Sequence, residues 1–172
     1  MKAEDYVNQF YPEAKKVELE TGISAIAMIA QSAGESGWKA PKGNMFFGIK
    51  DTDGLNGNEQ LIRTTEYLTS PNVKFPKIHS VKPIKRGNIT IFKYDCEDYF
   101  RKYATPADSF REYADFIHKN PRYKRALEVK SNPELYLSAL ADAGYATGLD
   151  YKAFMMSMIR SVMVRLRKLK LI

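Results

Sequence analysis

Residues 51–104 interrupt a chain that otherwise reads as helix, and that interruption limits the folds open to it. On the N-terminal side, residues 12–20 predict a helix with Pro12 in its first turn and Gly22 as its stop. Ser24 is placed to cap a second helix, from Ala25 to about Glu35, ended by Gly37. Helical signals return at Thr105-Pro106-Ala107-Asp108, a cap, a first-turn proline and an acidic third position, followed by the stripe Phe110, Tyr113, Ala114, Ile117. Asn132-Pro133-Glu134 starts another helix that ends at Gly144. The last begins near Asp150 and carries Tyr151, Phe154, Met155, Met158, Ile159, Val162, Leu166 and Leu169 at helical spacing. The interruption itself opens with the turn-rich run Asp51-Thr52-Asp53-Gly54 and holds two strand-like stretches, residues 61–68 and 88–94, expected to pair antiparallel. Residues 70–87, with three prolines and many lysines, are expected to form a long loop between them. The fold class is therefore α+β, mainly α: a helical domain with a small antiparallel β-hairpin lobe at about 51–104, residues 1–172 forming one domain.

Composition excludes several classes. Apolar residues make up 44% and charged residues 27% of 172, an ordinary globular balance. No run approaches the roughly 18 apolar residues of a membrane span, so no stable membrane insertion is expected. The one cysteine, Cys96, rules out an internal disulfide and reads as a small core residue. The two histidines, His79 and His118, lack ligand-like spacing, so no metal and no cofactor is expected. The first residues, Met1-Lys2-Ala3-Glu4-Asp5-Tyr6, have no apolar core of a secretory signal, as a trimmed chain would also lack one. A net charge of +7 favours a polyanionic partner: nucleic acid, an anionic membrane or an anionic cell-wall polymer.

Two carboxyls stand out. Glu35 ends a run of small and apolar residues, with Gly37 and Trp38 at once behind it and Asn44-Met45-Phe46-Phe47-Gly48-Ile49-Lys50 following. Poor hydration, nearby rings and a helix C-terminus all disfavour the anion and raise the pKa. A carboxylic acid that keeps its proton near neutral pH suits cleavage of a glycosidic bond. The other reading of the same residues is a solvated helix-end carboxylate. Met28, Ser32 and Glu35 share one helix face. On the strand at 61–68, Glu66 shares a face with Ile62, Thr64 and Leu68, either as a functional carboxyl or as an edge-strand charge.

Five segments in order carry a family resemblance. They are Ala30-Gln31-Ser32-Ala33-Gly34-Glu35-Ser36-Gly37-Trp38, Asn44-Met45-Phe46-Phe47-Gly48-Ile49-Lys50, Thr64-Thr65-Glu66-Tyr67, Phe100-Arg101-Lys102-Tyr103 with Ser109-Phe110-Arg111-Glu112-Tyr113, and Gly144-Tyr145-Ala146-Thr147. Over roughly residues 10–158 the chain resembles the bacterial cell-wall endo-β-N-acetylglucosaminidases of glycoside hydrolase family 73, found in autolysins, flagellar hydrolases and phage lysins. It departs from them at Gly148, where an Asp is usual, at Gly34, where a larger apolar residue is frequent, and in the length of segment 70–87.

The resemblance implies a lysozyme-like fold and a monomeric hydrolase of peptidoglycan glycan strands. It implies Glu35 as general acid, Glu66 as base or charge stabiliser, and Tyr145 as the tyrosine that orients the N-acetyl group or the attacking water. Trp38, Asn44, Phe46 and Phe47 are the candidate substrate-binding residues, with Phe47 favoured as a ring face for a sugar near Glu35; the other reading is core packing for the three aromatics and turn-holding for Asn44. Lys42 and Lys50 are either candidates for substrate carboxylates or solvated surface charges. A catalytically silent wall-binding module with the same fold is the competing reading. A nucleic-acid-binding domain lacks any recognised motif here, and no nucleic-acid partner is expected. Action on the bacterial cell wall, reached by phage-lysin-type release or another export route, is the implied location.

Overall fold

The computed structural model describes residues 1–146 and 150–172, and its contacts divide into two compact units. The first, Met1–Phe47 with Tyr103–Ile172, is helical; the second, Gly48–Lys102, is a sheet.

In the helical unit, α1 spans Ala3–Thr21, α2 Ala25–Ser36, α3 Pro106–Lys119, α4 Lys124–Glu128, α5 Pro133–Asp142 and α6 Tyr151–Lys168. The capping signals operate as read. Ser24 accepts from the Ala27 N–H, Thr105 and Asp108 form a reciprocal capping box, and Asn132 accepts from the N–H groups of Glu134 and Leu135. α2 is apolar on nearly every side, with Ala25, Ala27–Ala30 and Ala33 buried, because it packs against α1, α5 and α6. The start of α1 differs from the sequence expectation. The helix begins at Ala3, so Pro12 lies inside it. An internal proline costs about 3 kcal/mol locally. Tyr6, Val7, Phe10, Tyr11, Ala14 and Val17 are all buried on one continuous stripe that runs past exposed Pro12, and that burial outweighs the penalty.

Gly34 has a packing reason. A Cβ there would stand 2.8 Å from the Met155 Cε and 3.1 Å from Phe154 Cε1, so its absence lets α6 approach α2 closely. Phe154 itself remains 44% exposed, unlike the other apolar members of the α6 stripe near it. Gly34→Leu is expected to overpack this crossing and to destabilise the protein by about 1–3 kcal/mol, read from chemical denaturation.

In the sheet unit, β1 spans Glu59–Leu68, β2 Lys77–Arg86 and β3 Ile89–Arg101, all antiparallel in the order β1-β3-β2. The two anticipated strands do pair, with Glu66 opposite Tyr94 and Thr64 opposite Cys96. The segment expected to be one long loop contains β2, which is a correction. β2 is an edge strand with a bulge between Ile78 and Ser80, and Pro83 and its lysines are features that edge strands tolerate. They hid the strand because they protect an edge. A two-residue turn, with Gly87 at φ 59°, joins β2 to β3. Cys96 is a buried core residue at the centre of this sheet. Among the described residues no helix is long and apolar enough to cross a membrane.

Candidate active site

In the helical unit the site is built around the last turn of α2. Gly37 closes that helix in the left-handed conformation at φ 60°, and Trp38 follows at φ 63°, its N–H donating to the Ala33 carbonyl at 3.1 Å. Trp38 is held there by Tyr6 edge-on at 5.7 Å and by the Arg165 guanidinium 5.1 Å from its ring. These contacts compensate a backbone conformation that a bulky residue adopts at a cost of about 1–3 kcal/mol.

Glu35 keeps solvent-accessible surface, which leaves it reachable by a substrate. The protein packed around its carboxyl still removes enough water to push its pKa from an ordinary 4.5 up to about 7, against a smaller downward pull from the Gln31 side chain. Three phenols lie within electrostatic range of it: Tyr6 of α1, Tyr145, and Tyr151 of α6. Burial pushes Tyr6 up to about 12 and Tyr145 and Tyr151 well above their ordinary value, so all three stay neutral beside the carboxyl. The Tyr145 ring contacts Tyr113, Tyr123 and Tyr151 at centroid distances of 6.4, 5.9 and 6.4 Å. Tyr145 and Glu35 are thus neighbours in one unit. Thr147 and Gly148 of the same motif lie outside the described residues.

The shifted carboxyl has a stability consequence with a definite sign. A raised native pKa means that the folded state binds a proton more tightly than the unfolded chain between pH 4.5 and about 7. Stability therefore falls as pH rises through that window. Glu35→Gln removes the effect, so the melting temperature of the variant relative to wild type is expected to rise from pH 4 to pH 8. A difference independent of pH would refute the shift.

The remaining sequence-derived residues of this unit have packing partners. Phe46 is 4% exposed and stacks on Phe110 at 4.8 Å, with Phe10 edge-on at the same distance. Phe47 is 7% exposed, and Tyr113 covers one ring face at 4.0 Å. Asn44, at φ 53°, donates its side-chain amide to the carbonyls of Tyr103 and Ala104 at 3.0 and 3.2 Å and so holds its turn.

In the sheet unit, Glu66 projects from the half-buried face of β1. Lys50 lies 3.0 Å from Glu66 Oε1 and 2.9 Å from Asp98 Oδ2, a cation between two carboxylates. Its ammonium is also over the rings of Phe75 and Phe100 at 5.7 and 5.9 Å. Burial pulls the Lys50 pKa down, but Asp98 and Glu66 outweigh it and keep the ammonium charged. Lys50, a candidate for substrate carboxylates in the sequence, is here the partner of Glu66.

Sequence reasoning missed Gln31, Tyr151 and Asp98. Gln31 was within reach, since it lies four residues before Glu35 on the same helix face. Asp98 sits opposite Ile62 and becomes visible only once the β1–β3 register is known.

A helical body whose α2 ends in a proton-retaining glutamate, with a three-stranded sheet carrying a second glutamate, defines a class. The chain belongs to the glucosaminidase family, described as mannosyl-glycoprotein endo-beta-N-acetylglucosaminidase, whose family model matches residues 11–163. Among curated proteins it is similar to the peptidoglycan hydrolase FlgJ of Vibrio parahaemolyticus, 28% identical over 155 residues, covering 86% of this chain and 44% of that protein. The protein of the same name from Pseudomonas aeruginosa is 29% identical over 157 residues, covering 87% of this chain and 34% of its own length. The chain thus spans less than half the length of these relatives. Among solved structures, the glycoside hydrolase domain of Salmonella typhimurium FlgJ superposes with a TM-score of 0.72 at 22% identity, over 99% of this chain and 94% of that one. The catalytic domain of the autolysin Auto from Listeria monocytogenes gives 0.70 at 21% identity, over 95% and 85%. Both share the fold.

Proposed function

We propose that the chain is a peptidoglycan hydrolase that cleaves the β-1,4 bond of N-acetylglucosaminyl units in the glycan strand, its two units working as one catalytic domain. The observation that carries this reading is the Glu35 carboxyl, accessible yet holding its proton up to about pH 7 at the end of α2, in a chain of the glucosaminidase family. Glu35 gives that proton to the glycosidic oxygen as the bond from the anomeric carbon breaks. A water attacks the anomeric carbon and its proton passes to Glu66, the side chain paired with Lys50 at 3.0 Å. Tyr145, neutral and beside Glu35, orients the N-acetyl group or that water. Trp38, three residues after the acid, is the candidate ring for a sugar, and Phe46 and Phe47 form the packed floor that fixes the surrounding loop. Asn44 serves the substrate indirectly by holding its turn. The protein acts as a monomer on the bacterial cell wall, and its positive charge suits that anionic polymer.

The test is mass spectrometry of purified sacculi digested with the protein, with the new reducing ends identified after borohydride reduction. N-acetylglucosamine at the reduced end is expected. Reduced N-acetylmuramic acid would move the assignment to a muramidase, and no new reducing ends would refute hydrolysis.

A further inference from the structure

We infer that Gln31 is a positioning residue for the Glu35 carboxyl, its amide locked by a buried chain of hydroxyls through Tyr113 and Tyr136. Gln31 is fully buried on α2, one turn before Glu35 and on the same face. A buried amide in an otherwise apolar helix is destabilising unless its hydrogen bonds are made. Half of them are. The Tyr113 hydroxyl of α3 donates to Gln31 Oε1 at 2.6 Å, and the Tyr136 hydroxyl of α5 lies 2.9 Å from that of Tyr113. Since Tyr113 uses its only hydrogen on Gln31, Tyr136 is the donor in the second bond, and the order of the chain is set. Both tyrosines are fully buried, and Phe47 stacks on the Tyr113 ring at 4.0 Å. Residues from three helices and the Phe47 loop therefore prevent the amide from turning.

With Oε1 committed to Tyr113, the NH2 end of Gln31 faces the other way. Nε2 is buried and has no hydrogen-bond partner among the described residues, and the same is true of the Tyr151 hydroxyl nearby. A buried donor left unpaired is destabilising, and an anion beside it offsets that cost. The Glu35 carboxyl, one turn along the same face, and the Tyr151 hydroxyl are its neighbours, and Gln31 pulls the pKa of each down against burial. The other titratable groups facing Glu35 are Tyr6 from α1, Tyr145, and Tyr151 from α6, all held neutral near pH 7 by burial. Gln31 is therefore the fixed dipole that keeps the Glu35 proton available for transfer. Burial alone would hold that proton too tightly. The consequence for turnover rests on the acid role proposed for Glu35; the positional claim does not.

The experiment is a carbon-13 NMR titration of the glutamate carboxyls, with the Glu35 signal assigned by its loss in Glu35→Gln. In Gln31→Met the Glu35 midpoint is expected to move up by about one pH unit, from the loss of the amide dipole beside the charged group. Tyr113→Phe and Tyr136→Phe each delete one oxygen and keep the ring. They are expected to move the midpoint in the same direction by less, the Tyr136 change least. The alkaline limb of the pH–activity profile should follow each midpoint. An unchanged midpoint in folded Gln31→Met overturns the inference. Should that variant fail to fold, an unchanged midpoint in both tyrosine variants does so. An active Glu35→Gln enzyme would remove the acid role and leave the NMR result standing, so the two failures are separable.

Discussion

Glu35→Gln is expected to yield a folded protein whose turnover on purified sacculi is reduced by a factor of about 10²–10⁴ or more. The amide fills nearly the same volume and can still meet Gln31, so the end of α2 and its Gly37 cap should persist. It has no proton acidic enough to give to the departing sugar oxygen, which must then leave as an alkoxide. Muropeptide release quantified at matched protein concentration is the measurement, with circular dichroism confirming the fold. Turnover near wild type would remove Glu35 from the mechanism. The wild-type profile supplies a second check with a defined sign. The acid works protonated, so the rate should fall as pH rises through about 7, the value to which burial lifts this carboxyl. An alkaline limb near pH 4.5 would mean that the carboxyl is hydrated like any surface glutamate.

Glu66→Gln is the second large effect. A base that takes a proton only as water attacks contributes to the transition state and little to binding, so kcat should fall by about 10²–10³ with KM nearly unchanged. The substitution also leaves Lys50 with Asp98 as its remaining carboxylate partner, at 2.9 Å, which preserves the local ion pair and limits the structural damage. The product anomer reads the same question independently. Direct attack by water inverts the anomeric carbon, whereas participation by the substrate's N-acetyl group retains it. NMR of freshly released product is expected to show the α-anomer. A β-anomer together with a nearly active Glu66→Gln enzyme would reject Glu66 as base. In that case Tyr145→Phe should lower turnover comparably, because an orienting hydroxyl would then be needed to hold the N-acetyl group.

Helix boundaries governed by short-range chemistry were legible in the chain. Ser24, Thr105, Asn132 and Gly37 act on backbone groups two to four residues away, so their roles need no knowledge of the rest of the fold. Boundaries governed by burial were not. Pro12 reads as a helix start by its own geometry, and only the stripe it interrupts shows that the helix runs through it. β2 reads as loop because an edge strand is protected by the residues that otherwise mark loops.

The site divides along the same line. Glu35 and Glu66 were readable as candidates from their local segments, whereas Tyr145 was named only through the family resemblance those segments carry. The sequence by itself also determined that Glu35 shares a helix face with Ser32 and that Glu66 shares a strand face with Thr64, because helix and strand periods are properties of the local backbone. Only the tertiary structure decided what surrounds those carboxyls. It brought Tyr113 from α3 and Tyr136 from α5 onto Gln31, placed Lys50 between Glu66 and Asp98, and packed enough protein about Glu35 to raise its pKa to about 7. Hydration and hydrogen bonding depend on atoms distant in the chain, and their positions follow from packing the whole core.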